Sequence, residues 1–165
     1  MTYFQPEVSY FNTRRMKGIS VATSLRGIRV VIGSIGDDIH VVGITILGHA
    51  LRNAGAEVIQ LGIQTPAEEF VATAVAEDAD AVFVSSSNGH AAIFCDGIRD
   101  LLNKAGAEDI LLYAGGNLSV SAAADWSETE ARFLAFGFDR AYPSRSQPDT
   151  AIDDLAADIS ARKRG

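Results

Sequence analysis

Apolar residues along this chain fall into short β-branched runs, separated by stretches in which they recur every three or four positions. The first run, "IRVVIG", reads as a strand, and Val42, Ile46, Leu47, Ala50 and Leu51 then follow at helical spacing until Gly55, which is able to cap a helix. "EVIQLG" reads as a second strand. "TPAEEF" opens a second helix, with Thr65 as N-cap, Pro66 at the first helical position, and Glu68 and Glu69 facing the positive end of the helix dipole. "AVFVS" is a third strand; beyond "SSNGHAAIF" a helix passes through Ile98, Leu101 and Leu102 and ends near Gly106. "ILLYAGG" is a fourth strand. Ser127 to Glu130, "SETE", forms a capping box opening a helix that leads through "GFDRAY" into a short fifth strand, and Asp149 to Arg162 forms a terminal helix.

Strands alternating with helices predict an α/β protein with a parallel sheet covered by helices. Five such strands predict a three-layer flavodoxin-like (Rossmann-like) fold of strand order 2-1-3-4-5, whose ligands lie beyond the carboxyl ends of the strands. The unusual residues gather there. Strand one feeds "GDDIH", strand three "SSSNGH", strand four "GGNLSV" and strand five "YPSRS", so one long ligand across that edge could touch all four loops. Residues 1–27 show no clear period, and contain aromatics and the basic cluster Arg14, Arg15 and Lys17. They read as an N-terminal extension, either a flexible arm or a segment that docks on a partner or neighbouring subunit, ahead of a domain over 28–165.

With 165 residues and 47% hydrophobic content, the chain suits one domain with a sizeable core. A formal charge of −7 argues against nucleic acid or an anionic membrane as the main partner, because both reward clustered positive charge. Cys95 is the lone cysteine, which leaves no intrachain disulfide and fits a reducing cytoplasm. No apolar run approaches the ~18 residues of a membrane span, and the first residues contain no continuous apolar segment of signal-peptide type.

Two familiar ligand chemistries fail on the residues. "GSIGDD" lacks the full G-x-G-x-x-G pattern and sets two carboxylates where a pyrophosphate would be repelled. A phosphoacceptor domain also places paired acids after strand one, but it needs an Asp after strand three and usually a Lys after strand five. Ser85 and Tyr142 occupy those places.

"DDIHVVG" contains D-x-H-x-x-G as Asp38, His40 and Gly43, the signature of base-off, His-on cobalamin-binding domains. Together with "VSSSNGHAAIFCDGIRDLLNKAG", "ILLYAGGNLSV" and "ARFLAFGFDRAY", in that order and spacing, it resembles the small cobalamin-binding subunit of glutamate mutase (methylaspartate mutase) from about Arg29 to Ile159. The resemblance implies a cobalt-binding loop of Asp37, Asp38, Ile39, His40, Val41 and Gly43. His40 is then the metal ligand, displacing the cofactor's dimethylbenzimidazole, and Asp38 accepts the other ring N–H and fixes the tautomer. Ser85, Ser86 and Ser87 correspond to a tail-lining triplet whose first serine bonds the benzimidazole nitrogen; Ser87 replaces an apolar family residue and weakens packing against the base. Gly115 and Gly116 allow backbone to approach the nucleotide, followed by Asn117, Leu118, Ser119, Val120 and Ser121. After strand five "YPSRSQP" departs from the family's Pro-Gly-Thr type loop, which leaves Tyr142, Ser144 and Ser146 as candidate tail contacts only. Without the resemblance, these features also read as an Asp N-cap beside a surface histidine, a polar β–α loop, and glycines that merely end a strand.

By the same resemblance, the chain is the cofactor-binding component of a two-subunit, adenosylcobalamin-dependent isomerase, inactive alone. It acts with a large TIM-barrel subunit in a heterotetramer of two small and two large subunits, interconverting L-glutamate and threo-3-methylaspartate by a radical mechanism. The alternative is a stand-alone cobalamin carrier or sensor module serving a corrinoid methyltransferase or a regulatory partner.

Overall fold

The computed structural model describes residues 23–119 and 125–163, so the basic cluster of the extension and the site candidates Val120 and Ser121 lie outside the described residues. The elements run β1 (Arg29–Ile35), α1 (Val42–Asn53), β2 (Glu57–Thr65), α2 (Ala67–Ala76), β3 (Ala81–Ser86), α3 (Ala91–Cys95), α4 (Ile98–Lys104), β4 (Leu111–Gly116), α5 (Trp126–Ala135), β5 (Arg140–Tyr142) and α6 (Pro148–Arg162). All strand pairs are parallel, in the order β2-β1-β3-β4-β5 that the element pattern predicts.

Successive strand residues feed opposite layers, as the pleat requires. Val30 and Ile32, Ala81 and Phe83, and Leu111 and Tyr113 pack with Ile44, Leu51, Ile152 and Leu155 of α1 and α6. Their neighbours Val31, Val82, Val84, Leu112 and Ala114 pack on the other side with residues of α2, α4 and α5 such as Phe70, Leu102 and Phe133. Leu25, which the pattern places in the extension, is buried in the α1/α6 layer and donates its N–H to the Ala54 carbonyl at 2.7 Å. Cys95 is fully buried, and loss of solvent pushes its thiol pKa well up, so it is unreactive.

Two helix starts differ from the sequence reading. Thr65 ends β2, paired with Ile35, and the extended Pro66 takes the N-cap place of α2. Register with β1 holds Thr65 in the sheet, and its carbonyl accepts the Gly36 N–H. In α5 the cap is Asp125, not Ser127. Its carboxylate accepts the Ser127 N–H at 3.1 Å and hydroxyl at 2.8 Å, which leaves Ser127 inside the first turn. The helix after β3 is broken in two, because the chain turns at Gly97 with φ +90° between α3 and α4.

The α6 layer is tied to the sheet by Asp158. Its carboxylate accepts Arg140 Nε at 2.7 Å, Arg140 Nη2 at 2.8 Å and the Tyr113 hydroxyl at 2.6 Å. The Arg140 hydrogen bonds hold Asp158 below the usual carboxylate range, while burial, reinforced by Asp158, pushes the Tyr113 phenol up. A carboxylate whose pKa falls on folding stabilises fully above its unfolded value of about 4, and the stabilisation is lost as pH drops through the lower folded value. Asp158→Asn is therefore expected to cost about 1–3 kcal/mol at pH 7. In denaturant titrations across pH, that deficit should shrink as the wild type is acidified below pH 4.

Candidate functional site

β1 ends at the sheet edge where order reverses between β1 and β3, which places the loop Gly36 to Val41 over the carboxyl ends of the strands. Gly36 has φ +68°, and a Cβ there would stand 2.2 Å from the Phe94 ring, so only glycine lets the chain leave the sheet here. Asp38 then turns inward and is fully buried, while Ile39 is 62% and Val41 51% exposed.

A buried carboxylate is costly unless donors surround it. Asp38 has three. Oδ1 accepts the His40 backbone N–H at 2.9 Å and faces His40 Nδ1 at 2.5 Å, and Oδ2 accepts the Ser87 N–H at 2.5 Å. Because a carboxylate accepts, Nδ1 is the ring nitrogen that donates to Asp38, and a neutral imidazole in this pose carries its lone pair on Nε2. The His40 side chain is 54% exposed. Its backbone is held as well, since the Ser34 hydroxyl donates to the His40 carbonyl at 2.7 Å and the Gln64 N–H to the Asp38 carbonyl at 2.9 Å. The result is an outward imidazole of defined tautomer, able to act as a single metal ligand. Among the described residues no group of three or more His, Cys, Asp or Glu side chains could hold a bare ion.

Beside this loop, a slot of about 620 Å³ opens between α1, the strand ends and the loop that follows β5. Val42, Ile46 and Leu47 of α1 give it an apolar wall and Phe83 an apolar floor; Ser85, Ser87, Gly115, Gly116 and Asn117 add hydroxyl and backbone groups. Its far side is the stretch from Tyr142 to Pro148 and Ala151 of α6. Volume and lining suit a partly aromatic ligand with a polar end. A Cβ on Gly43 would stand 3.3 Å from the Ser85 Oγ, so glycine keeps the slot open between α1 and β3. Gly116, at φ +107°, would drive a Cβ to 2.2 Å from the Ser86 carbonyl oxygen, so only glycine allows the β3 and β4 ends to approach so closely.

Residues 28–139 match the family described as B12 binding domain. The chain is 51% identical over 130 residues to glutamate mutase sigma subunit 1 of Haloarcula marismortui, covering 79% of this chain and 85% of that protein. It is 45% identical over 135 residues to the glutamate mutase sigma subunit of Carboxydothermus hydrogenoformans, covering 82% and 98%. The chain belongs to the glutamate mutase sigma subunits, within the B12-binding domain family. A cobalamin-binding protein from Desulfitobacterium hafniense shares the fold at a TM-score of 0.65 and 18% identity, over 81% of this chain and 59% of that one.

In this sigma-subunit fold, the candidates from the sequence separate into groups. Buried Asp38 clamps the outward His40, and Gly43, Ser85, Ser87, Gly115, Gly116 and Asn117 line the slot. Asp37 turns away from His40 and binds Asn88 and His90. Ser86 does not line the slot; it is fully buried and its hydroxyl donates to Asn88 Oδ1, because alternate residues of β3 face opposite layers. Leu118 packs into the α2/α5 core, and Ser119 borders a separate depression near Phe133. Ile39 and Val41 stay at the surface beside His40.

The sequence reading passed over the apolar α1 wall, Gln147, Pro148 and Ala151 on the far side, and Asn88. Val42 and Ile46 carried a signal, since they are apolar residues on the side of α1 opposite its buried residues Ile44 and Leu51 and remain largely exposed. Gly43→Ala separates slot from fold: an alanine early in a helix should hold or raise stability by up to about 1 kcal/mol. The same methyl narrows the slot at Ser85, so cobalamin affinity should fall while the thermal midpoint does not, as titration and melting of one preparation would show.

Proposed function

We infer that this chain is the cobalamin-binding subunit of glutamate mutase, the adenosylcobalamin-dependent isomerase that interconverts L-glutamate and threo-3-methylaspartate. The observation that carries this reading is the buried Asp38 clamp, which keeps the proton on His40 Nδ1 and leaves Nε2 open beside a slot of suitable size. His40 would ligate the cobalt, and Asp38 would raise its basicity by accepting the Nδ1–H hydrogen bond. The slot accommodates the displaced nucleotide tail. Its apolar α1 wall and Phe83 would cover the benzimidazole, the Ser85 hydroxyl supplies a hydrogen-bonding group, and the Gly115–Gly116 backbone leaves room for ribose and phosphate. Ser87 places a hydroxyl on that lining where an apolar side chain would pack better.

Bound adenosylcobalamin would supply the radical chemistry, and the chain's own contribution is ligation, tail binding and orientation. Substrate recognition then belongs to a partner catalytic subunit. That partner is a TIM-barrel large subunit, assembled with this chain as two small and two large subunits. A reducing cytoplasm suits the lone, buried Cys95, and among the described residues no helix is long and apolar enough to cross a membrane.

Two experiments test this. EPR of Co(II)-cobalamin bound to protein with isotope-labelled histidine should show hyperfine coupling to protein nitrogen, and His40→Ala should abolish the coupling and weaken binding; a wild-type spectrum without it sinks the ligand assignment. With adenosylcobalamin and glutamate, isomerisation is expected only after a glutamate mutase large subunit is added. Turnover by the chain alone would refute the two-subunit reading, and firm cofactor binding without product in any combination would favour the carrier or sensor alternative.

A further inference from the structure

The residue before the clamp makes a second set of contacts that the cobalt chemistry does not use. Asp37 Oδ1 accepts the Asn88 Nδ2–H at 2.8 Å, and Asp37 Oδ2 accepts the His90 Nδ1–H at 3.0 Å. These bonds, His90 first, hold the Asp37 carboxyl below the usual carboxylate range. The orientation of Asn88 is dictated by its other bonds. Its Oδ1 accepts both the Ser86 hydroxyl at 3.1 Å and the His90 backbone N–H at 3.0 Å, so the amide nitrogen must be the group that faces Asp37. Ser86 is a buried residue of β3, which anchors Asn88 to the sheet. The loop after β3 is joined in turn to the loop after β4, because Gly89 N–H donates to the Asn117 carbonyl at 3.1 Å and Asn117 Nδ2 to the Ser87 carbonyl at 3.4 Å.

Two consecutive acids of the β1–α1 loop thus bind two consecutive residues of the β3–α3 loop, Asp38 to Ser87 and Asp37 to Asn88. Ile39 and Val41 are exposed, so little apolar packing holds the loop that bears His40, and its position depends on polar ties. We propose that Asn88 is a positioning residue whose amide, through Asp37, fixes the His40 loop in register with the β3 and β4 loops before any cofactor arrives. Its consequence for cobalamin rests on the function inferred above; its effect on the loop does not.

Asn88→Asp tests this with little collateral change. A carboxylate at 88 still accepts from Ser86 and from the His90 N–H, but it has no N–H for Asp37 and sets two like charges together. In the cobalamin-free protein, amide exchange over residues 37–41 should accelerate. Cobalamin affinity should fall about tenfold, the size of other losses behind a metal ligand, and a smaller share of bound Co(II)-cobalamin should show protein-nitrogen coupling. The exchanged pair, Asp37→Asn with Asn88→Asp, restores donor opposite acceptor and should return affinity and coupling to within about twofold of wild type. Unchanged exchange and affinity in Asn88→Asp, or a double variant as impaired as the single, would overturn the proposal. A wild type that binds no cobalamin would count against the cofactor reading alone, and the exchange comparison would still decide whether Asn88 holds the loop.

Discussion

A buried carboxylate at the end of β1 is the constraint on which the site depends. Asp38 sits where no solvent reaches it, so its charge must be met by fixed donors, and those donors are the backbone and ring of His40 and the backbone of Ser87. One electrostatic requirement therefore sets three things together: the position of the β1–α1 loop, its distance from β3, and the tautomer of the imidazole. Isolated surface pairs rarely have such reach, because water and salt screen them. Here burial removes the competing solvent, and every donor lost would leave charge unmet in the interior.

The sheet turns this local arrangement into a site. Because the strand order reverses between β1 and β3, the loops that follow these strands diverge and leave a gap instead of being covered by a crossover helix. The gap is bounded by α1 on one side and by the start of α6 on the other, and α6 is held there by Asp158, Arg140 and Tyr113. The slot is thus a property of the whole α1/α6 layer. Ile32 and Phe83, core residues of that layer, extend to the slot lining, so the core continues into the binding surface.

Polar links across the strand ends complete the picture. Asn88 and Asn117 add to the Asp38–Ser87 link among the loops after β1, β3 and β4, and Gly116 lets two of them approach within a distance that any side chain would forbid. A flavodoxin-like sheet accommodates unrelated chemistries, so the fold alone says little about function. Family membership rests on the match to the B12 binding domain and on 51% identity to a glutamate mutase sigma subunit, while the loops bring an acid, a histidine and small residues to one edge.

Much of this was legible in the chain itself. Short β-branched runs alternating with helical periods determine a parallel five-stranded sheet, because each run must be covered on both faces and each crossover needs a helix. The spacing of Asp38 and His40 already places a carboxylate within reach of an imidazole nitrogen two residues on, a contact that the structure makes at 2.5 Å; a role for that imidazole as metal ligand is implied by the resemblance and not by the spacing. Tertiary structure decided the rest. Sheet register, which local propensity does not encode, kept Thr65 in β2 and moved the helix start past Pro66. Pleat direction turned Ser86 inward while Ser85 and Ser87 face the slot, and packing against Phe133 and its neighbours drew Leu118 into the core. The tie between Asp37 and Asn88 spans 51 residues of chain, and no local pattern in either segment names the other. Such contacts come into being only when the strands align, since it is the sheet that brings their loops to one edge.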